Sequence, residues 1–214
     1  MEVRIRHDIP KGAIILSKYE ALSNQIELIT NWKPRSDIWS LLFGRPILAG
    51  AVTLSSLYIN QRFRRKLKFG KYGLLPTMAG VGTGPAVASS LLYTELILNK
   101  LLLLEDSCPI CLESRSVLLQ TFTGLLFPLI LTPLANFSIA AGSGVYNVPH
   151  ITDVKRVFRV VSSVYQPMIP VFATIFTLHV LLAGFITHSQ IKSFLRILDV
   201  QNLIEEEQRD QKHA

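Results

Sequence analysis

Long apolar runs separated by short charged stretches form the main pattern along this chain. The window 117–135 contains no charged residue, and the window 168–187 contains no acid or base apart from His179. Each is close to the roughly 20 residues that a helix needs to cross a bilayer. The second window is apolar on every helical face, which is typical of a membrane span or a large buried core. We predict a transmembrane helix in each.

Two further windows are apolar but interrupted. Window 38–59 contains Arg45 and Pro46, and window 72–99 contains several glycines, Pro85 and Glu95. Glycine and proline are tolerated in membrane helices, and a basic side chain near a helix end can extend to the headgroups. We therefore predict about four membrane spans.

The two flanks have a different pattern. Segments 17–30 and 190–204 place apolar residues at helical spacing, which predicts amphipathic surface helices. The predicted organisation is an all-α polytopic membrane bundle with an amphipathic N-terminal segment (1–36), a four-helix membrane domain (37–189) and a C-terminal helix with a solvated acidic tail (190–214). A composition of 49% apolar and 17% charged residues, with a mean hydropathy of +0.35, agrees with a membrane protein.

Much of the formal net charge of +7 lies in segment 61–71, which contains no acid. Its basic residues are Arg62, Arg64, Arg65, Lys66, Lys68 and Lys71. A basic cluster beside a membrane helix binds anionic lipid headgroups such as those of cardiolipin and fixes topology. No nucleic-acid recognition motif accompanies the charge, so we expect no nucleic-acid partner.

Four spans would place the first and third connections on one side and both termini with the second connection on the other. The first and third connections carry nine basic residues against Asp153. The positive-inside rule then places those two connections on the inner side of the membrane.

Small residues indicate where helices pack closely. Gly80 and Gly84 form a G-x-x-x-G pattern that Ala88 continues, and Ala51 with Ser55 supplies a counterpart on the first span. Since a short connection makes these two spans antiparallel neighbours, we predict that their small faces meet each other or a partner helix.

Cys108 and Cys111 form a C-x-x-C motif before the third span. Three interpretations remain open: a structural dithiol or disulfide, which we favour, a redox-active pair, and a metal site. Two cysteines cannot complete a tetrahedral metal site, so we expect no metal or other cofactor.

His179 is the ionisable residue nearest the middle of a span, which makes it a functional candidate. A neutral imidazole hydrogen-bonded to a neighbouring helix is the simpler interpretation. The sequence has no Ser/His/Asp arrangement, no H-E-x-x-H motif and no paired carboxylates within the spans. We therefore expect no enzymatic activity.

Several short motifs occur together in a specific order over residues 40–200. They are Phe63-Arg64-Arg65, Leu75-Pro76-Thr77-Met78-Ala79-Gly80, Cys108 and Cys111 with Arg115-Ser116, and Phe127-Pro128 with Pro133. In this order and spacing the chain resembles the transmembrane protein 126 family of mitochondrial inner-membrane proteins.

The resemblance implies a non-catalytic assembly factor for respiratory complex I (NADH:ubiquinone oxidoreductase). Its expected partners are membrane-arm subunits of that complex and other assembly factors, and its expected location is the mitochondrial inner membrane. Two alternatives stay open: a small solute or ion transporter, and a thiol-redox membrane protein that uses the C-x-x-C pair.

Overall fold

The computed structural model describes residues 17–105, 108–143 and 153–213, which are almost entirely helical and contain no strand. The helices are α1 (Lys18–Asn31), α2 (Trp39–Lys66), α3 (Leu74–Tyr93), α4 (Asn99–Leu102), α5 (Pro109–Thr121), α6 (Phe127–Ser143), α7 (Val154–Tyr165) and α8 (Ile169–His213). This confirms the predicted all-α membrane fold.

Two π-helical turns join shorter helices into long rods. Thr94–Leu98 links α3 to α4, and Phe122–Leu126 links α5 to α6. By length and apolar composition, three segments of the described chain could cross a membrane: Trp39–Lys66, Pro109–Gly142 and Lys155–Gln211. The rod from Leu74 to Leu102 is about 40 Å long at about 1.5 Å per residue, but its glycines, serines and threonines make it less apolar. The prediction of about four spans is therefore approximate.

The contacts at the two ends of the bundle differ. At the end that we name the basic end, Phe63 of α2 packs on Tyr165 at the close of α7, with ring centroids 5.6 Å apart. At the opposite end Lys18 bonds Glu105 at 2.7 Å, and Arg196 of α8 bonds Asp37 at 3.3 Å. The first connection and α7 thus share one end, in the arrangement predicted for the charge-rich connections.

Two apolar clusters hold the bundle together. The larger one joins α2, the α3–α4 rod, α5 and α8 through fully buried residues such as Ile38, Ile97 and Phe194. The smaller one lies at the basic end and includes Phe63 and Phe137, whose rings meet edge to face at 5.8 Å.

Helix α7 is amphipathic to a degree that the sequence analysis did not identify. Its apolar residues Val157, Val160, Val161 and Val164 pack against the smaller cluster. On its other faces it carries Lys155 and Arg159 to the surface, together with Phe158, which is 73% exposed.

The predicted N-terminal helix is present as α1, and residues 1–16 of that segment lie outside the described residues. Ser17 and Glu20 form a capping box, in which each side chain accepts a hydrogen bond from the other's backbone N–H. Ile29 of α1 is buried in the larger cluster, whereas Ile26, one turn earlier in the same helix, is exposed.

The predicted separate C-terminal helix differs from the structure. Helix α8 runs unbroken from Ile169 to His213, so segment 190–204 extends the last membrane helix. After Gly184 the sequence has neither glycine nor proline, and nothing interrupts the helix. The acidic run 205–207 lies within this helix, with Glu206 and Glu207 exposed.

Candidate functional site

His179 lies at the centre of a buried polar layer that joins three helical rods. Its Nε2 is 3.1 Å from Ser55 Oγ on α2, and its Nδ1 is 3.2 Å from Gln120 Nε2 on α5. Gln120 Nε2 also donates to the Leu48 carbonyl at 3.1 Å, which fixes the orientation of its amide. Nδ1 must therefore accept, and a neutral ring with its proton on Nε2 satisfies both contacts.

Ser55 completes this layer by donating to the carbonyl oxygen of Gly124 at 2.9 Å. Gly124 lies in the π-helical turn of the α5–α6 rod, and a Cβ atom placed on it would lie 2.5 Å from the imidazole of His179. The ring can approach this closely only because Gly124 has no side chain. The sequence analysis missed Gly124, whose role depends on the neighbouring helix rather than on a motif.

A second polar layer lies closer to the opposite end of the bundle. Tyr93 donates to Gln190 Oε1 at 2.6 Å, and Gln190 donates to the Ser40 carbonyl at 3.0 Å. Thr187 lies 3.0 Å from the Tyr93 hydroxyl and donates to Ser116 at 2.6 Å. These contacts join α2, α3, α5 and α8, so both layers lock α8 to the bundle.

Arg64 departs from the prediction that all six basic residues of segment 61–71 face lipid headgroups. It is 4% exposed and donates to the carbonyls of Gly70, Tyr72 and Gly73 and to Asn136 Oδ1 at 2.9 Å. Its guanidinium therefore holds the α2–α3 connection against α6. Arg64 has a structural role because the turn after α2 folds back over it.

The other five basic residues of the segment are exposed. They are Arg62, Arg65, Lys66, Lys68 and Lys71. With Lys155, Arg156 and Arg159 of α7 at the same end, they form what we name the basic surface. Contact of this surface with anionic headgroups stays a prediction.

The predicted contact between the small faces of α2 and α3 uses other residues. A Cβ atom on Gly82 would lie 3.0 Å from Leu57 of α2, whereas one on Gly80 would meet nothing within 4 Å. Gly80 faces outward because it lies two residues, or about 200°, from Gly82 around the helix.

The remaining small residues face other helices. A Cβ atom on Gly84 would lie 3.5 Å from Leu131 of α6, and Ala88 is half-buried one turn further along α3. Ala51 and Ser55 line a hollow between α2 and α8, so they do not form the predicted counterpart of Gly80 and Gly84.

Cys108 and Cys111 are joined by a disulfide at the start of α5, with their Cα atoms 5.3 Å apart. Cys108 is the N-cap residue, its sulfur accepts from the Cys111 backbone N–H, and both residues are exposed. The structure thus has the pair in its oxidised form. Redox activity of the pair stays one of the alternatives.

The buried polar groups of the described residues bond mainly to one another. Residues 17–105, 108–143 and 153–213 contain no group of three or more metal-binding side chains. The buried hydroxyl, amide and imidazole groups of both layers are bonded to one another across helices. Such interhelical bonds hold membrane helices in register.

Comparison with known proteins agrees with this architecture. The sequence profile described as transmembrane protein 126 matches residues 20–203. A protein named transmembrane protein 126 from Drosophila melanogaster is 31% identical over 211 residues, covering 96% of this chain and 95% of that protein. No solved structure matches significantly. The chain belongs to the transmembrane protein 126 family.

Proposed function

We propose that this protein is a non-catalytic assembly factor of the mitochondrial inner membrane that holds membrane-arm subunits of respiratory complex I while the complex is built. Membership of the family supports the proposal, because the family resemblance implies this role. Other assembly factors are its further expected partners.

The observation that carries the proposal is the exposed apolar surface of α8. We compare the most apolar 18-residue window of each candidate span. The buried share of this window is 17% in the segment that contains α8, 33% in α2 and 44% in the α5–α6 rod. Leu181 and Phe185, at i and i+4, are 64% and 60% exposed and form one stripe. We assign this stripe, the α8 stripe, as the surface that binds a transmembrane helix of a subunit.

The interior of the bundle supports a scaffold more than a transporter. A transporter needs intramembrane polar groups that can bind a solute. Both ring nitrogens of His179 are engaged by Ser55 and Gln120. The bonded layers favour a rigid bundle that works through its outer faces.

The test replaces the α8 stripe and measures assembly. Cells that lack the protein receive either wild type or the Leu181→Ala, Phe185→Ala double variant, and complex I intermediates are resolved on native gels. We expect the double variant to restore complex I less than wild type does, with membrane-arm subcomplexes accumulating, because a partner helix loses two side chains of contact.

A matched control removes the same two residue types elsewhere. Leu118 and Phe122, on the α5–α6 rod, are also a Leu–Phe pair at i and i+4 and are 70% and 49% exposed. Their double alanine variant should restore complex I as wild type does. Equal rescue by both double variants would contradict the assignment of the α8 stripe, and normal complex I without the protein would contradict the assembly role itself.

The C-x-x-C pair allows a second functional test. A Cys108→Ser, Cys111→Ser variant should still support complex I assembly if the disulfide only clamps the start of α5. Loss of assembly at unchanged protein level would instead favour the thiol-redox alternative.

A further inference from the structure

A lateral groove opens on the outside of the bundle between α2 and α8, at the depth of the membrane. Its volume is about 680 Å³. The α2 wall contains Leu54 and Tyr58, and the α8 wall contains Val171, Leu178 and Leu182. The polar atoms of Ser55 and His179 on its floor are bonded to each other and to the bundle, so the groove presents hydrocarbon.

The groove exists because α2 and α8 diverge. Far from the basic end the two helices are in close contact, since a Cβ atom on Gly44 would lie 2.5 Å from Gln190 Nε2. At the basic end, Val164 and Tyr165 of α7 pack against Phe63 of α2. Helix α7 thus occupies the space between the end of α2 and the start of α8, and holds the helices apart.

The dimensions of the groove suit a lipid chain. Its α8 wall runs from Val171 to Leu182, about 16 Å at about 1.5 Å per residue. The groove has a volume of about 680 Å³ and is open on one side, so an extended hydrocarbon chain can enter it from the bilayer. The charge at the rim of the groove then determines which lipid it binds.

A cation lies at the basic end of the groove. Arg62 follows Tyr58 by one turn and Ser55 by two on the same face of α2. Its Nε donates to the Tyr58 hydroxyl at 3.1 Å, and its guanidinium lies 5.3 Å from the Tyr58 ring centroid. Arg62 lies one turn before the end of α2 at Lys66, among the exposed cations of the basic surface, where we expect lipid phosphates to lie.

We propose that this groove, which we name the α2–α8 groove, is a binding site for an anionic phospholipid. One acyl chain lies against Leu54 and Leu178 down to the level of His179, and the phosphate accepts hydrogen bonds from Arg62. The charge at the rim and the apolar walls together select a negatively charged lipid over a zwitterionic one.

Photolabelling tests the site directly. The full-length protein is reconstituted in phosphatidylcholine nanodiscs that contain a trace of phosphatidylglycerol with a diazirine near the end of one acyl chain. After illumination, labelled peptides are mapped by mass spectrometry. We expect labelling concentrated on residues 51–58 and 171–182, and we expect the same diazirine on phosphatidylcholine to label these peptides about fivefold less.

Two variants separate the headgroup from the chain. Arg62→Gln should lower phosphatidylglycerol labelling in the groove about fivefold without changing phosphatidylcholine labelling. Arg65→Gln is the matched control, because Arg65 is exposed one turn away but lines a different hollow beside α3. Ala51→Phe should fill the groove and reduce labelling by both lipids, whereas Ala79→Phe, at an exposed position of α3, should not.

The outcomes are decisive in both directions. Loss of the phosphatidylglycerol preference with Arg62→Gln but not with Arg65→Gln supports the site. Equal labelling by the two lipids in wild type, or equal effects of the two arginine variants, overturns it. Crosslinking of the groove to a protein instead of a lipid in native membranes also overturns the site. Arg62→Gln changes only an exposed side chain, so this variant should fold as wild type does.

Discussion

Replacing Gly124 with alanine is expected to destabilise the bundle because it places a methyl group where the imidazole of His179 lies. The added Cβ atom would be 2.5 Å from both Cε1 and Nε2 of the ring. Either the ring or the π-helical turn must shift. A shifted ring loses its contacts with Ser55 at 3.1 Å and Gln120 at 3.2 Å, and α8 is released from the other rods at this layer.

The size of the effect follows from three terms. Overpacking a tight interior costs about 1–3 kcal/mol. Two interhelical hydrogen bonds in a membrane protein contribute about 0.6 kcal/mol each. Alanine is favoured over glycine within a helix by about 0.5–1 kcal/mol, which acts in the opposite direction. The net expectation is a loss of about 1–4 kcal/mol in the free energy of unfolding.

Reversible unfolding in mixed micelles with increasing dodecyl sulfate, followed by circular dichroism, measures this difference. Gly80→Ala is the matched control, because an added Cβ atom at Gly80 meets nothing within 4 Å, and its stability should equal or slightly exceed that of wild type. Equal stability of the Gly124 and Gly80 variants would refute the packing argument. A His179→Ala, Gly124→Ala double variant should be less destabilised than the sum of its single variants, by about 1 kcal/mol or more.

Three further outcomes are expected from the same structure. Arg64→Gln should lower the free energy of unfolding by about 2–3 kcal/mol, because loop carbonyls lose a buried charged donor, whereas Arg65→Gln, at an exposed position, should change it by less than about 0.5 kcal/mol. Gly73→Ala should destabilise more than Gly70→Ala in the same assay: both have positive φ, at 60° and 55°, but only at the first does a new Cβ atom meet a side chain of α6. The backbone N–H of Ser17, at the start of α1, holds the pKa of Glu20 below its usual 4.5. The ionised carboxylate therefore stabilises α1 above about pH 4.5, and this stabilisation is lost as the pH falls through the lowered pKa. Hydrogen exchange of α1 should become faster over that pH range, and the Glu20→Gln variant should lack this pH dependence.

His179 shows which contacts of the buried interior can be predicted from the sequence and which cannot. Its place in an otherwise uncharged window marks it as a buried polar group that needs a partner. The partners Ser55 and Gln120 come from distant segments, and which residues face each other depends on how far each helix is shifted along its axis. Apolar periodicity does not determine that shift. The sequence therefore predicts that His179 is hydrogen-bonded to a neighbouring helix, but not which residues bond it.

The inward position of Arg64 and the outward position of Gly80 could not be predicted from the sequence for a related reason. Gly80 stays a candidate for contact with a partner helix. A run of basic residues predicts a charged surface, yet successive helical residues point about 100° apart, and one of six turned inward under the following loop. A G-x-x-x-G pattern marks one face of a helix without saying which neighbour it meets. In α3 the close contact with α2 falls on Gly82, between the two glycines of the pattern.

The continuity of α8 was underestimated because the change from apolar to amphipathic pattern near residue 190 resembles a boundary between helices. The chain contains no helix-breaking residue there, and Ile191, Phe194 and Ile197 continue the buried face. The amino-acid composition changes where a helix leaves the membrane, but the helical backbone can continue past that point.

The proposal that the outer faces of the helices bind subunits of complex I is tested most directly by the migration of the protein itself. Mitochondrial membranes that contain the native protein are separated on native gels, and every slice is analysed by mass spectrometry. We predict that the protein co-migrates with membrane-arm intermediates and is absent from the finished complex. Migration only at the mass of the free protein, or with an unrelated complex, would contradict the assembly role.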